Sequence, residues 1–493
     1  MLNLHGLQGM VGQEVSIGDL RELNKALRAS AQAVMKGEVG YPAQGQGFVG
    51  GAGGHGEIAP LVPQSIQQTL DSATFTQAHI VLWKMLSKVN VSSTLHEATR
   101  VNQHGSMALD PFFAEGGVPD ISEAQYERQV VRVKFMAEYI ELSDVATMVG
   151  IIGVNRQALA QRTQDGTLAL MGKLERALWN ADSSLSDLHF DSIPAQIRAN
   201  APDNVTDMRG AAVTPQKLQE LLGELMSDPN YGNPNAVMVD PRVYQALSNI
   251  ATTYGRHDQL RMHGGGASVS FGHKQLFVGS PQGDVPIIPV PMMKPVTTPN
   301  DAAQGDTPPA AISTMSPAVS NPGADADSQW LAADAGDYYY KIVGIGDKGV
   351  TAAHELGPIT VAAGEAPRLA VADGTEDANG LHSAIRYYRV FRSAKDASNG
   401  DNCKFLFEQT ANDVGGSDET YIFDFNAVLP DTASIYLLQN TPDVMYWAQL
   451  LDFTRRPLGQ FQTTIPFLLM MFGSPFVKVP TKNWIIDNCA LSV

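Results

Sequence analysis

Residues 344–349, Gly344-Ile345-Gly346-Asp347-Lys348-Gly349, satisfy the dinucleotide fingerprint G-x-G-x-x-G and follow the apolar run Tyr338-Tyr339-Tyr340-Lys341-Ile342-Val343. A dinucleotide requires that spacing to open a helix, whose N-terminus holds the pyrophosphate. Here the chain continues as Val350-Thr351-Ala352 with no helical stripe, so the spacing predicts a β-hairpin turn. A second glycine cluster, Gly45 to Gly56, could cradle a phosphate, but no Lys-Ser or Lys-Thr follows it and no strand precedes it. The eleven histidines contain neither H-E-x-x-H nor an i, i+4 pair, and His257 and His263 flank a Gly-rich loop as surface residues do. There is no G-x-S-x-G elbow. Acidic residues are plentiful enough for a glycosidase pair, yet no spacing singles one out. Arg455-Arg456 offers an anion site, an intersubunit salt bridge or a solvated turn. No catalytic residue, cofactor or metal site is predicted, and the chain is not expected to be an enzyme.

Composition narrows the class. A chain of 493 residues can bury the cores of two to four domains, and 44% hydrophobic with 17% charged residues is a globular balance. The start, Met1 to Gly12, lacks the positive end and apolar run of a signal peptide. The longest apolar run, residues 465–472, contains Pro466 and falls well short of the roughly 20 residues that span a bilayer, so no membrane partner is expected. Cys403 and Cys489 form no disulfide framework and no zinc cluster, which suits a reducing compartment. A net charge of −17 without a basic stripe argues against tight binding of nucleic acid.

Residues 1–59 read as an arm: Asp19-Leu20-Arg21-Glu22 resembles a capping box, and the glycine cluster follows. From Pro63 a helix is expected through Ile66, Leu70, Phe75, Ile80, Leu82, Trp83 and Leu86. Residues 97–128 are polar and broken by Gly105, Pro111, Gly116, Gly117 and Pro119, a long loop of the functional sort. The chain returns through residues 129–135, where Val131, Val133 and Phe135 share one face and Arg132 and Lys134 the other. A lone two-stranded ribbon is marginal in water, so it should rest on another chain. An amphipathic helix spans residues 155–181, with Leu168, Met171, Leu174 and Leu178 on one face, and residues 190–197 form a link. Thr214 and Pro215 open a helix with Leu218, Leu221, Leu222, Leu225 and Met226 in phase. The strand 236–239, a helix after Asp240-Pro241, and strands near Phe277 and Ile287 complete an α/β layer.

Composition shifts at about Val296 to a Pro-, Ala- and Asp-rich lead-in, followed by strand-like runs at residues 338–343, 359–361, 387–392, 405–408 and 421–424. That rhythm suits a β-sandwich and looks like a fibronectin type III or immunoglobulin-like module. After Asn440 the first fold resumes, so the module at residues 297–440 reads as an insertion.

The order of loop, long helix and α/β layer resembles tailed-bacteriophage major capsid proteins of the Hong Kong ninety-seven type, over about residues 59–295 and 441–493. The resemblance implies an α+β fold with an arm (1–59), an extended loop (97–128), a peripheral domain with its spine helix (60–96, 129–205 and 441–493), an axial domain (206–296) and the inserted module. It implies hexamers and pentamers closing into an icosahedral shell around double-stranded DNA, in a virion assembled in the host bacterial cytoplasm. Scaffold, portal and decoration proteins are its possible further partners. Subunit contacts are expected at Arg100, Phe112, Phe113, Arg128, Arg132, Lys134, Arg455 and Arg456. Some such proteins cross-link through a loop lysine; residues 97–133 hold no lysine, so that chemistry is expected to be absent. The module should project outward. The alternatives are an encapsulin-like compartment shell and a secreted carbohydrate-active protein with a fibronectin-like module.

Overall fold

The computed structural model describes residues 74–105, 112–118, 121–144, 158–254, 260–263, 266–269, 275–281, 283–294, 298–305, 307–320, 325–346, 348–372, 384–411, 419–459 and 463–491. The expected arm and glycine cluster, and the start of the expected helix at Pro63, lie outside them. Within the described part, that helix is confined to a 3-10 turn, Gln77–His79, and the single turn Leu82–Met85. A continuous helix through Phe75 and Ile80 is therefore not formed. Ile80, Leu82, Trp83 and Leu86 are buried all the same, because they plug the core beneath the long helix.

Ala158–Asn180 is that long helix. Its buried Leu170, Leu174 and Leu178 face the interior, with Leu168 and Met171 half-buried beside them. It lies on a four-stranded sheet ordered Lys88–Asn90, Met445–Pro457, Thr464–Val477, Lys134–Ser143, in which only the first pairing is parallel. The approach is close: a Cβ on Gly166 would come within 2.1 Å of Ile140 Cδ1. At the heart of this layer the Trp447 ring meets Trp83 edge to face at 5.1 Å and leaves no room for a side chain on Gly473.

Residues 190–197, read as a link, mostly form a helix, Ile193–Asn200. Ser192 Oγ accepts the Ala195 N–H, and Ile193 and Ile197 are buried, so capping and an apolar i, i+4 pair outweigh the short length. The α/β layer is a six-stranded sheet ordered Val205–Asp207, Trp484–Ala490, Thr432–Leu438, Ala236–Val239, Gly283–Pro289, Leu276–Ser280. Thr214 Oγ1 accepts from the Lys217 N–H at the start of Pro215–Met226, and Asp240 Oδ1 takes the Arg242 N–H at Pro241–Tyr254. These two helices share a core with Val237, Val239, Ile435, Leu437 and Ile486. The opposite face of the sheet joins Trp83, Leu174 and Trp447.

Two expected boundaries move. Residues 432–438, assigned to the inserted module, form a central strand of the six-stranded sheet, with Tyr436 opposite both Met238 and Ile485. Residues 484–490, grouped with the peripheral part, pair with them there. Both strands are short apolar runs whose partners lie far away in sequence, so local pattern could not place them.

The module contains a six-stranded sheet built on Gly336–Gly346, and a three-stranded sheet of Ser313–Ser320, Arg368–Ala372 and Glu419–Phe423. One core, including Tyr340, Ile342, Leu369, Val371, Val390 and Ile422, is shared between them. The G-x-G-x-x-G segment is a hairpin: Ile345 pairs antiparallel with Val350, and the Thr351 hydroxyl accepts the Gly344 N–H at 2.9 Å. Cys403 and Cys489 are buried free thiols, and burial pushes them up to about 11 and about 12, far from the reactive thiolate range.

Candidate assembly surfaces

Leu95–Gln103 and Gln125–Arg132 pair as an antiparallel ribbon, with Leu95 opposite Arg132 and Val101 opposite Tyr126. Alternation gives it two faces. The inner face, His96, Ala98, Arg100, Glu127, Gln129 and Val131, turns toward its own chain. His96 Nε2 lies 2.8 Å from the Tyr446 hydroxyl, and Ala98 and Val131 pack on Tyr446 and Phe476. Thus the inner face of the ribbon root rests on the four-stranded sheet of its own chain. Arg100 Nη2 donates to Glu127 Oε2 at 2.6 Å, and hydrogen bonds from Asn102 and Arg100 hold the Glu127 carboxyl below its ordinary range.

The outer face carries Leu95, Val101, Tyr126 and Val130 beside Glu97, Arg128 and Arg132. Arg128 reaches Glu97 at 3.3 Å, an exposed pair that adds little stability. Beyond the ribbon, Phe112 is 86%, Val118 89% and Ile121 87% exposed. Among the described residues, ten of fifteen exposed large apolar side chains lie between Leu95 and Tyr139, a concentration that solvent alone would not favour.

The last two of those ten, Phe135 and Tyr139, lie after the ribbon and correct the expected face pattern. Val133 is buried and ends the ribbon strand, its N–H donating to the Thr94 carbonyl. The alternation resets at Lys134, so Phe135 stands exposed rather than sharing a face with Val133. Phe135 and Tyr139 therefore lie on the outer face of the four-stranded sheet, opposite Phe472 and Leu468 in register. Half-buried Leu468, Met470 and Phe472 extend this into an apolar strip, while Phe467 and Leu469 point the other way, to the long helix.

Of the eight expected contact residues, Phe112, Phe113, Arg128 and Arg132 are exposed on the ribbon and its loop. Arg100 is half-buried against Glu127, and the Lys134 ammonium donates to the Asp187 carbonyl of its own chain. Arg455 and Arg456 occupy opposite faces of one strand; the Arg455 guanidinium stacks 4.5 Å over Phe467. The expected contact residues do not include Val118, Ile121, Tyr126, Phe135 and Tyr139, which are exposed as well. Isolated apolar residues in an otherwise polar loop were the available signal for the first two. Among the described residues no group of three or more His, Cys, Asp or Glu is placed to hold a metal, and no helix is long and apolar enough to cross a membrane.

Comparison with known proteins gives a family for the chain. The profile of the family described as SU10 major capsid protein matches residues 65–327, over half of the chain. The chain is 22% identical over 437 residues to the major capsid protein of Staphylococcus phage K, covering 87% of this chain and 89% of that protein. It is 21% identical over 442 residues to the putative major capsid protein of Enterococcus phage phiEF24C, with the same coverage. Among solved structures, the capsid of the native GTA particle aligns with a TM-score of 0.46 and 9% identity, covering 91% of this chain and 100% of that one. The encapsulin of the holo-SrpI complex from Synechococcus elongatus PCC 7942 aligns with a TM-score of 0.43 and 10% identity, covering 89% and 96%.

Proposed function

This chain belongs to the SU10 major capsid protein family, and from that premise we propose that its copies join head to tail, the ribbon of one lying on the outer sheet face of the next. It is a phage major capsid protein, a component of the virion, and it associates with itself. The carrying observation is that one chain presents two different exposed apolar surfaces, the ribbon with its loop and the Phe135–Tyr139 strip. Two unlike surfaces that complement each other form a heterologous contact, which closes into rings when the rotation permits. Hexamers and pentamers of such rings, closing as an icosahedral shell around double-stranded DNA, are the assembly this contact supports. The acidic balance of −17 suits a wall that encloses DNA without gripping it.

Scaffold, portal and decoration proteins are further partners in this reading, and assembly in the host cytoplasm fits two buried, unpaired cysteines. The wall role calls for no catalysis. The module of residues 298–426 stands as an outward β-sandwich of immunoglobulin or fibronectin type. Ile121→Asp in the full-length chain tests the contact. The subunit should stay folded by circular dichroism and sediment as a monomer or small oligomer, where the parent forms shells. Shells of normal yield from the variant would refute the head-to-tail contact.

A further inference from the structure

Arg209 and Asn488 stand side by side at one edge of the six-stranded sheet, and both adopt left-handed backbone conformations, with φ of +48° and +53°. Asparagine adopts such a conformation readily, whereas for an arginine it is costly and persists only where its surroundings over-determine it. Local hydrogen bonds fix the turn. Arg209 N–H donates to Asp207 Oδ1 at 2.8 Å, Met208 N–H to the Asp487 carbonyl, and Gly210 N–H to the Asn488 carbonyl. The strained turn throws the Arg209 side chain off the sheet and into the root of the β module.

There the guanidinium grips both segments of that root. Nη2 donates to the Gln329 carbonyl at 2.5 Å and approaches Asp334 Oδ2 at 3.4 Å, on the chain entering the strand Gly336–Gly346. Nη1 donates to the Asn426 carbonyl at 2.9 Å, on the chain leaving the module. Asn488 holds the same exit: its Nδ2 donates to the Ala427 carbonyl at 2.9 Å, and its Oδ1 accepts the Leu429 N–H at 2.9 Å. Asn426 carries the linkage inward, accepting from Arg392 Nη2 at 2.7 Å, and Arg392 is paired with Asp424 in the module core. A guanidinium suits this position because its planar fork can serve several carbonyls at once, which an ammonium on a flexible stem cannot.

We propose that Arg209, seconded by Asn488, is a clasp that sets the β module at one fixed angle to the α/β sheet, so that the module is carried as a rigid extension and not as a tethered domain. Contact or load on the module then passes into the sheet through the Asn426–Arg209 link. The proposal does not depend on how copies associate, because both halves of the clasp belong to one chain.

Arg209→Gly is the discriminating variant, since it removes the guanidinium while relieving the backbone. Arg209→Lys keeps the charge, and Arg198→Ala, which breaks an ion pair to Asp487 within the sheet layer, is the control. In the full-length chain, limited proteolysis within residues 325–335 and 424–431 should quicken about tenfold in Arg209→Gly, intermediate in Arg209→Lys and unchanged in Arg198→Ala, as local opening is released. The far-UV spectrum of Arg209→Gly should match the parent. Should Arg209→Gly be cleaved at the parental rate, or Arg198→Ala open the same roots equally, the clasp is refuted; a misfolded Arg209→Gly would also refute it, making the residue a general folding determinant. Because this readout is taken on the unassembled subunit, its failure and a failure of the ribbon contact are separable.

Discussion

Glu175, buried on the long helix, accepts the backbone N–H of Trp83 at 2.9 Å and that of Leu82 at 2.8 Å. One carboxylate thus satisfies the first free donors of the turn Leu82–Met85 and seats Trp83 against Trp447. Glu175→Ala strands those N–H groups in the core, at roughly 1–3 kcal/mol for each unsatisfied donor. Glu175→Gln keeps an acceptor and should lose less. Urea denaturation of the unassembled subunit reads both, with the order parent, Gln, Ala.

Gly473 is required by Trp447, whose ring atoms lie 2.4 Å from where a Cβ would stand. Gly473→Ala should cost about 1–3 kcal/mol through overpacking, seen as a lower thermal midpoint. Gly223→Ala, on a helix with open space around it, should not lower stability.

The module can be removed only if the cut respects the six-stranded sheet. Replacing residues 298–426 by a flexible linker should leave shells in electron micrographs. Deleting residues 297–440 removes the central strand Thr432–Leu438 and should give insoluble protein.

Burial pushes the Lys294 ammonium down to about 8 from 10.5, with Asp240, Arg242 and Asp431 as its charged neighbours. Between those values the unfolded chain binds more protons than the folded one, so this group makes stability rise with pH across that window. Below about 8 both states are protonated and the burial penalty is constant. Lys294→Met should therefore melt higher than the parent at pH 7, with the gap narrowing by pH 10.

Particles boiled in detergent should run as monomers, because residues 97–133 contain no lysine to form a loop cross-link. A ladder of covalent oligomers on the gel would contradict this.

What the sequence made legible was local. Thr214-Pro215 and the leucines at 218, 221, 222 and 225 announce their helix, because cap chemistry and helical period lie in adjacent residues. The long polar loop and its return strand were visible for the same reason. Residues 432–438 were misassigned because their neighbours, strands Ala236–Val239 and Trp484–Ala490, are recognised only through long-range pairing. Phe135 was placed on the wrong face because the break at Val133 shifts the alternation by one, and a single-residue slip inverts every side chain after it. Contacts were expected at six basic residues and at Phe112 and Phe113; the exposed Val118, Ile121, Phe135 and Tyr139 were hidden because exposure depends on the folded sheet and not on residue type.

A cryo-electron microscopy map of shells assembled from the full-length chain tests the central claim most directly. The account predicts that Val118 and Ile121 of each copy sit on the Phe135 and Tyr139 strip of the next copy around the ring. A map in which that strip faces solvent, with the ribbon loop folded against its own subunit, would contradict it.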